Sequence, residues 1–169
     1  MWGRRLGHYA PAGSIHVLTG YAKGTFAGHA VGASLAVARS YDPAGPAGGG
    51  ADVAVVTLAT PLPGPVLGLW DGALPSGTRL MLAGYGQDRA ERLMADTSCA
   101  VRGRGPGADG APVLVHDCAG TRGTSGAPLL AQASDGAWRV AAIQAAGRED
   151  DAGGFAVPAD AVRALLRAH

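Results

Sequence analysis

The sequence predicts an all-β domain closed by one C-terminal helix. Three observations carry that prediction. Short apolar runs alternate with period two, Gly and Pro punctuate almost the whole chain, and only the last dozen residues carry a helical stripe. The 169 residues are enough for one domain or a compact two-lobed one, and 47% of them are apolar, so a real core can form. Aromatics make up only 5%, so that core must be built from small and β-branched side chains.

Ile15 and Val17 alternate within Ser14 to Gly20. His29, Val31, Ala33, Leu35 and Val37 alternate with Ala30, Gly32, Ser34 and Ala36, which reads as a half-buried strand. Tyr41 to Gly50 is a Pro/Gly loop. Val53 to Leu58 is apolar on both faces and reads as a buried strand. Pro61, Pro63 and Pro65, each lacking a donor N–H, then impose an extended connector. Arg79 to Ala83 is another strand, ended by Gly84-Tyr85-Gly86. Arg92 to Arg104 and Ala111 to Cys118 form two arms around a Gly/Pro turn, and Leu129 to Ala131 pairs with Trp138 to Ile143 around Ser134-Asp135-Gly136. At the end, Pro158 opens a helix with Asp160 in its first turn and Arg163 and Arg167 later, matching the helix dipole. Ala161, Val162, Leu165 and Leu166 form its apolar stripe.

A net charge of +1 argues against a nucleic-acid or polybasic membrane partner, and no apolar run reaches the ~18 residues of a membrane span. No apolar stretch follows Met1-Trp2-Gly3-Arg4-Arg5 as a signal peptide requires. Cys99 and Cys118 are the only cysteines and do not form a zinc pattern. The turn between them favours a disulfide, and hence an oxidising compartment, over two buried free thiols. Nothing in the residues calls for a metal or organic cofactor.

The chemistry concentrates in Arg122-Gly123-Thr124-Ser125-Gly126-Ala127-Pro128. A serine between glycines at a tight turn exposes a hydroxyl nucleophile. Gly123 lets its own N–H and that of Ser125 converge on one spot, and Gly126 removes a side chain that would obstruct an attacked carbonyl. Alone, this pattern is more often a Gly-rich turn between two strands. It is not an α/β-hydrolase elbow, because the second glycine comes one place early and no helix follows.

Taken in order, several stretches resemble the trypsin-like (chymotrypsin-fold) serine endopeptidases, the bacterial secreted ones above all. Gly123-Thr124-Ser125-Gly126-Ala127-Pro128 is similar to that family's nucleophile motif. Asp52-Val53-Ala54-Val55-Val56-Thr57-Leu58 is similar to the strand that carries the triad acid. Ala83-Gly84-Tyr85-Gly86, Ala142 to Gly147 and Phe155-Ala156-Val157-Pro158 also resemble family segments. The resemblance implies two six-stranded antiparallel Greek-key barrels with the first incomplete: residues 1–70 as the remainder of the N-terminal barrel, and 71–169 as the C-terminal barrel with its helix. It implies Ser125 as nucleophile, Asp52 as acid, and Gly123 and Ser125 as oxyanion donors. The specificity pocket would be lined by Ala119, Gly120, Ala145, Ala146 and Gly147, uncharged at its base, which speaks against an Arg or Lys preference. Thr124 implies no activation by an ion pair with a new N-terminus. The resemblance also implies a protein or peptide substrate, a monomer, and a secreted or periplasmic location.

The departure from the family is the general base. No Ala-Ala-His-Cys segment precedes Asp52, and the opening residues look like the chain that follows such a segment. The expectation is a chain that starts after the base and the first strands, with unpaired edges and poor solubility. His16 and His29 are the only alternatives in the right chain order; His116 comes from the wrong barrel, His8 from a loop, and His169 is the last residue. Three readings follow: a serine endopeptidase lacking its base in this chain, a pseudoprotease acting as a protein-binding module, and a β-rich domain outside the family.

Overall fold

The computed structural model describes residues 2–3, 8–89, 91–148 and 153–168. Twelve strands precede one helix: β1 (Trp2–Gly3), β2 (His8–Tyr9), β3 (His16–Thr19), β4 (Gly28–Val37), β5 (Ala54–Leu58), β6 (Gly68–Leu69), β7 (Arg79–Gly84), β8 (Met94–Pro106), β9 (Pro112–His116), β10 (Pro128–Gln132), β11 (Trp138–Gly147), β12 (Gly154–Pro158) and α1 (Ala159–Arg167). The predicted strands and the terminal helix are all present. Two short pairs went unforeseen. His8 lies in β2 rather than in a loop, and β6 leaves the proline connector to pair in parallel with β11.

Strands β7 to β12 close a six-stranded antiparallel barrel in the cyclic order β10-β7-β8-β9-β12-β11, with β10–β11 as the seam. Its core holds Leu80, Leu82, Val101, Leu114, Leu129, Ala131, Ala142 and Ala156, each almost wholly buried. The alanines lie on β10, β11 and β12, where small side chains let three adjacent strands share one interior. We expect Leu129→Ala to cost about 2–5 kcal/mol, because Leu129 is 0% exposed and its neighbours are held by the ladder and cannot collapse into the gap. Urea unfolding checks this; a loss under about 1 kcal/mol would mean the core re-forms around the cavity.

The first half is different. It forms an open three-stranded sheet, β3-β4-β5, where the sequence implied an incomplete barrel. Consequently β5 is not buried on both faces: Ala54 and Thr57 are exposed, and Val55, Val56 and Leu58 are only half-buried. A strand at an edge has one neighbour fewer to cover it, so its apolar composition overstates its burial. A second apolar cluster of Val53, Val157 and Leu165, with Val55, Ala145, Ala161 and Val162 against it, binds this sheet and α1 to the barrel. Leu166 falls outside that contact and is 50% exposed, so the apolar stripe of α1 is narrower than the sequence suggested.

Candidate active site

The Cys99–Cys118 disulfide is formed, joining β8 to the segment that leaves β9. It fixes the start of the Ser125 loop. On either side of it, Asp96 accepts the Ala119 N–H at 2.7 Å and Asp117 accepts the Ala100 N–H at 2.7 Å. Desolvation opposes ionisation of both carboxyls. The Ser98 and Ala119 donors at Asp96, and the Ala100 N–H and Arg102 guanidinium at Asp117, outweigh it and hold both pKa values below the usual carboxylate range.

From there the loop is braced from below by the turn after β7. The Gln87 N–H donates to Arg122 O at 2.7 Å, and the Thr121 hydroxyl donates to Asp88 at 2.7 Å. A Cβ on Gly84 would stand 2.7 Å from the Ala127 methyl, so this turn lies directly under the loop. From the side, β11 holds it: the Gly126 N–H donates to Gln144 O at 2.8 Å and the Gln144 N–H to Ala127 O at 2.9 Å.

Within the loop, Gly123 sits at φ +100° and Gly126 at φ +88°, conformations that L side chains rarely adopt. Gly123 is also confined, since a Cβ there would be 3.2 Å from the Gln87 backbone nitrogen. At Gly126 a Cβ would meet no protein atom, so within the fold it is the backbone conformation that requires glycine. The N–H groups of Thr124, Gly126 and Ala127 donate to carbonyls of Thr121, Gln144 and Thr124. Those of Gly123 and Ser125 donate to no backbone carbonyl among the described residues.

Ser125 is exposed, and its hydroxyl donates to Ala145 O at 3.3 Å. It opens onto a cavity of about 590 Å³ between the three-stranded sheet and the barrel. Asp52 lines the same cavity, with Leu35, Val37, Val53, Val56, Ile143 and Val162 as its apolar walls. Of the five residues expected in the specificity pocket, Ala145 lines this cavity. Ala119, Gly120, Ala146 and Gly147 are not among its lining residues.

The Asp52 carboxyl has its pKa raised, first by desolvation against those walls and further by the negative charge of Asp109. Asp109 is the anchor of this segment. Its carboxylate accepts the N–H groups of Gly50 and Ala51 at 2.9 Å each and that of Ala111 at 3.0 Å, tying the residues just before Asp52 to the β8–β9 turn. Against a desolvation penalty, those donors hold the Asp109 pKa low, so Asp109 stays ionised beside Asp52. A raised folded-state pKa means that ionising Asp52 disfavours the folded form. No cost exists below the unfolded pKa near 4, and it grows as pH rises through the folded value. We therefore expect Asp52→Asn to raise Tm at pH 7 and to leave it unchanged near pH 3. Paired thermal melts at the two pH values check this; a lower Tm at pH 7 would mean that Asp52 is stabilising where it stands.

None of the four described histidines lines the cavity. His16 and His29 pair with each other on the exposed face of β3 and β4. His8 turns its Nδ1 to Tyr9 O at 2.8 Å; Tyr9, its neighbour, does line the cavity. His116 is buried in the barrel. Its Nδ1 accepts the Cys118 N–H, so Nε2 carries the proton and donates to Gln144 Oε1 at 2.6 Å. That bond passes over Gly154, where a Cβ would stand 2.7 Å from Gln144 Nε2 and 3.2 Å from His116 Nε2. Burial pushes the His116 pKa down, keeping it a neutral structural link between β9 and β11. His169 lies outside the described residues.

Sequence reasoning missed Gln144, Asp109, Tyr9, Leu35 and Val37. Gln144 had a signal, a single amide within the apolar run Val140 to Ala146. Asp109 had the weaker one of an Asp-Gly turn. No protein-family profile and no curated protein matches this chain.

Proposed function

We propose that the chain carries the nucleophile and the acid of a trypsin-like serine endopeptidase, with Ser125 attacking peptide carbonyls and Asp52 orienting the imidazole that takes its proton. The observation that carries this reading is that Ser125 and Asp52, from separate halves of the sequence, line one cavity. The two uncommitted N–H groups at Gly123 and Ser125 support it, as donors for the oxyanion that the attack creates. In the reaction, the Ser125 hydroxyl turns from Ala145 O to a base and Oγ bonds to the carbonyl carbon. The proton passes through the imidazole to the departing amine, and water then releases the acyl group by the same route. The open sheet stands for the first of two chymotrypsin-type barrels, and the closed barrel for the second. A protein or peptide is the substrate, and the disulfide supports secretion. Among the described residues no helix is long and apolar enough to cross a membrane.

A second reading is favoured by the histidine positions: a pseudoprotease that keeps the scaffold as a protein-binding module. Free imidazole separates the two. A fluorophosphonate probe should label the purified chain faster when imidazole is added, and Ser125→Ala should not label. Labelling that ignores imidazole, or that survives Ser125→Ala, overturns the endopeptidase reading. No labelling under either condition favours the pseudoprotease.

A further inference from the structure

On the outer face of the three-stranded sheet, two imidazoles meet edge to edge. In the antiparallel β3–β4 ladder His29 lies opposite Leu18 and His16 opposite Val31, so the two histidines are diagonal neighbours on one face, with Ile15 and Ala30 buried on the other. His16 Nδ1 and His29 Nε2 are 2.8 Å apart, and the rings lie within 7° of parallel. Both residues are exposed. The edge of the Phe26 ring packs against His29 with centroids 6.0 Å apart, which limits how far that imidazole can swing.

We propose that His16 and His29 form a bidentate surface site for a tetragonal divalent transition ion, Cu²⁺ or Ni²⁺. With metal–nitrogen bonds of about 2.0 Å, two ligands at a right angle stand about 2.8 Å apart and two tetrahedral ligands about 3.3 Å apart. The 2.8 Å contact is a hydrogen bond between the facing nitrogens, so turning both rings toward a shared ion brings either spacing within reach, and affinity rather than separation selects the ion. Imidazole nitrogen suits both ions, and the general affinity order places Cu²⁺ above Ni²⁺ and both above the weaker first-row ions.

Binding requires both facing nitrogens to be unprotonated. The N–H shared between the rings moves to the far nitrogen of its own ring, which frees both facing lone pairs for the ion. The strand ladder already fixes both Cα positions, so binding costs side-chain torsional freedom and little backbone ordering. Among the described residues no group of three or more His, Cys, Asp or Glu gathers around an ion position, so the other coordination positions belong to water.

The test is calorimetric titration of the intact chain with CuCl₂ and with NiCl₂, alongside His16→Ala, His29→Ala and His8→Ala. We expect one ion per chain at this site, tighter for Cu²⁺, with affinity reduced at least tenfold in His16→Ala and in His29→Ala and unchanged in His8→Ala. The Cu²⁺ electron-spin spectrum should show coupling to two imidazole nitrogens. Because both histidines are exposed, their replacement leaves the core intact, and circular dichroism of each variant verifies that. Affinity unchanged in either single variant, or coupling to one nitrogen only, overturns the proposal.

Discussion

Adding imidazole to the chain should accelerate fluorophosphonate labelling of Ser125 by roughly 10²-fold, the lower range of what a positioned base contributes. The chain without imidazole should label slowly. Oxyanion donors alone are worth about 10²–10³, while loss of the base in a serine peptidase costs on the order of 10⁶ in turnover. On the proposed reading the Gly123 and Ser125 N–H groups supply the first effect, and no described histidine lines the cavity to supply the second. Ser125→Ala should remove the labelling, because the proposed nucleophile is the Ser125 hydroxyl. Asp52→Asn should remove most of the imidazole-dependent part and spare the slow background, since an amide cannot stabilise the imidazolium or fix its tautomer. If Asp52→Asn leaves the imidazole response whole, Asp52 is a cavity wall and not the acid. The three measurements separate nucleophile, acid and base, and the same Asp52→Asn variant should gain Tm at neutral pH. Gain of stability with loss of reactivity is the signature of a group placed for chemistry at the expense of the fold.

Replacing Cys99 and Cys118 together by Ala should cost about 3 kcal/mol, the loss expected when a closed loop of this length is released. The bond joins positions 19 apart, and both half-cystines are buried in the barrel core. A cross-link of that span mainly restricts the unfolded chain, so the loss should appear as a lower urea midpoint. A local consequence should accompany it. Cys118 is the last fixed point before the Ser125 loop, and Ala119 then has only the Asp96 carboxylate to hold it. Imidazole-dependent labelling should therefore fall even under conditions where the barrel stays folded. An unchanged midpoint in the double variant would mean that the two thiols are not joined in the folded protein.

Much of this was legible in the residues. The strand over His29 to Val37, the turns at Gly107 to Gly110 and Ser134 to Gly136, and the cysteine pairing rest on local signals, and they hold; the strict alternation within that strand does not, because a bulge between Gly32 and Ser34 leaves Ala30 and Gly32 buried and Ala33 exposed. The C-terminal helix holds as well, because Pro158 and Asp160 specify its start independently of what it packs on. The positive φ of Gly123 and Gly126 was also within reach, since a serine turn that tight has few other solutions.

What failed were inferences that needed to know a strand's neighbours. The composition of Val53 to Leu58 is that of a buried strand, yet its burial depends on how many strands lie beside it, and it stands at an edge. Leu166 repeats the apolar stripe of α1, but the barrel and the sheet reach only as far as Leu165. Chain order made His16 and His29 candidate bases, while the pleat turned both to the face opposite Ile15 and the cavity.

The sequence by itself determined the fold class, the turn that presents Ser125, and the disulfide, because local backbone preference and short-range covalent geometry decide those. Only the tertiary structure decided that one barrel closes while the first half stays an open sheet, and that Asp52 reaches the cavity of Ser125. It also decided that Asp109 anchors the approach to Asp52, and that two histidines face one another on the outside. Each of these depends on which distant segments come together, and residues far apart in sequence meet only when strand pairing and apolar burial have chosen their partners.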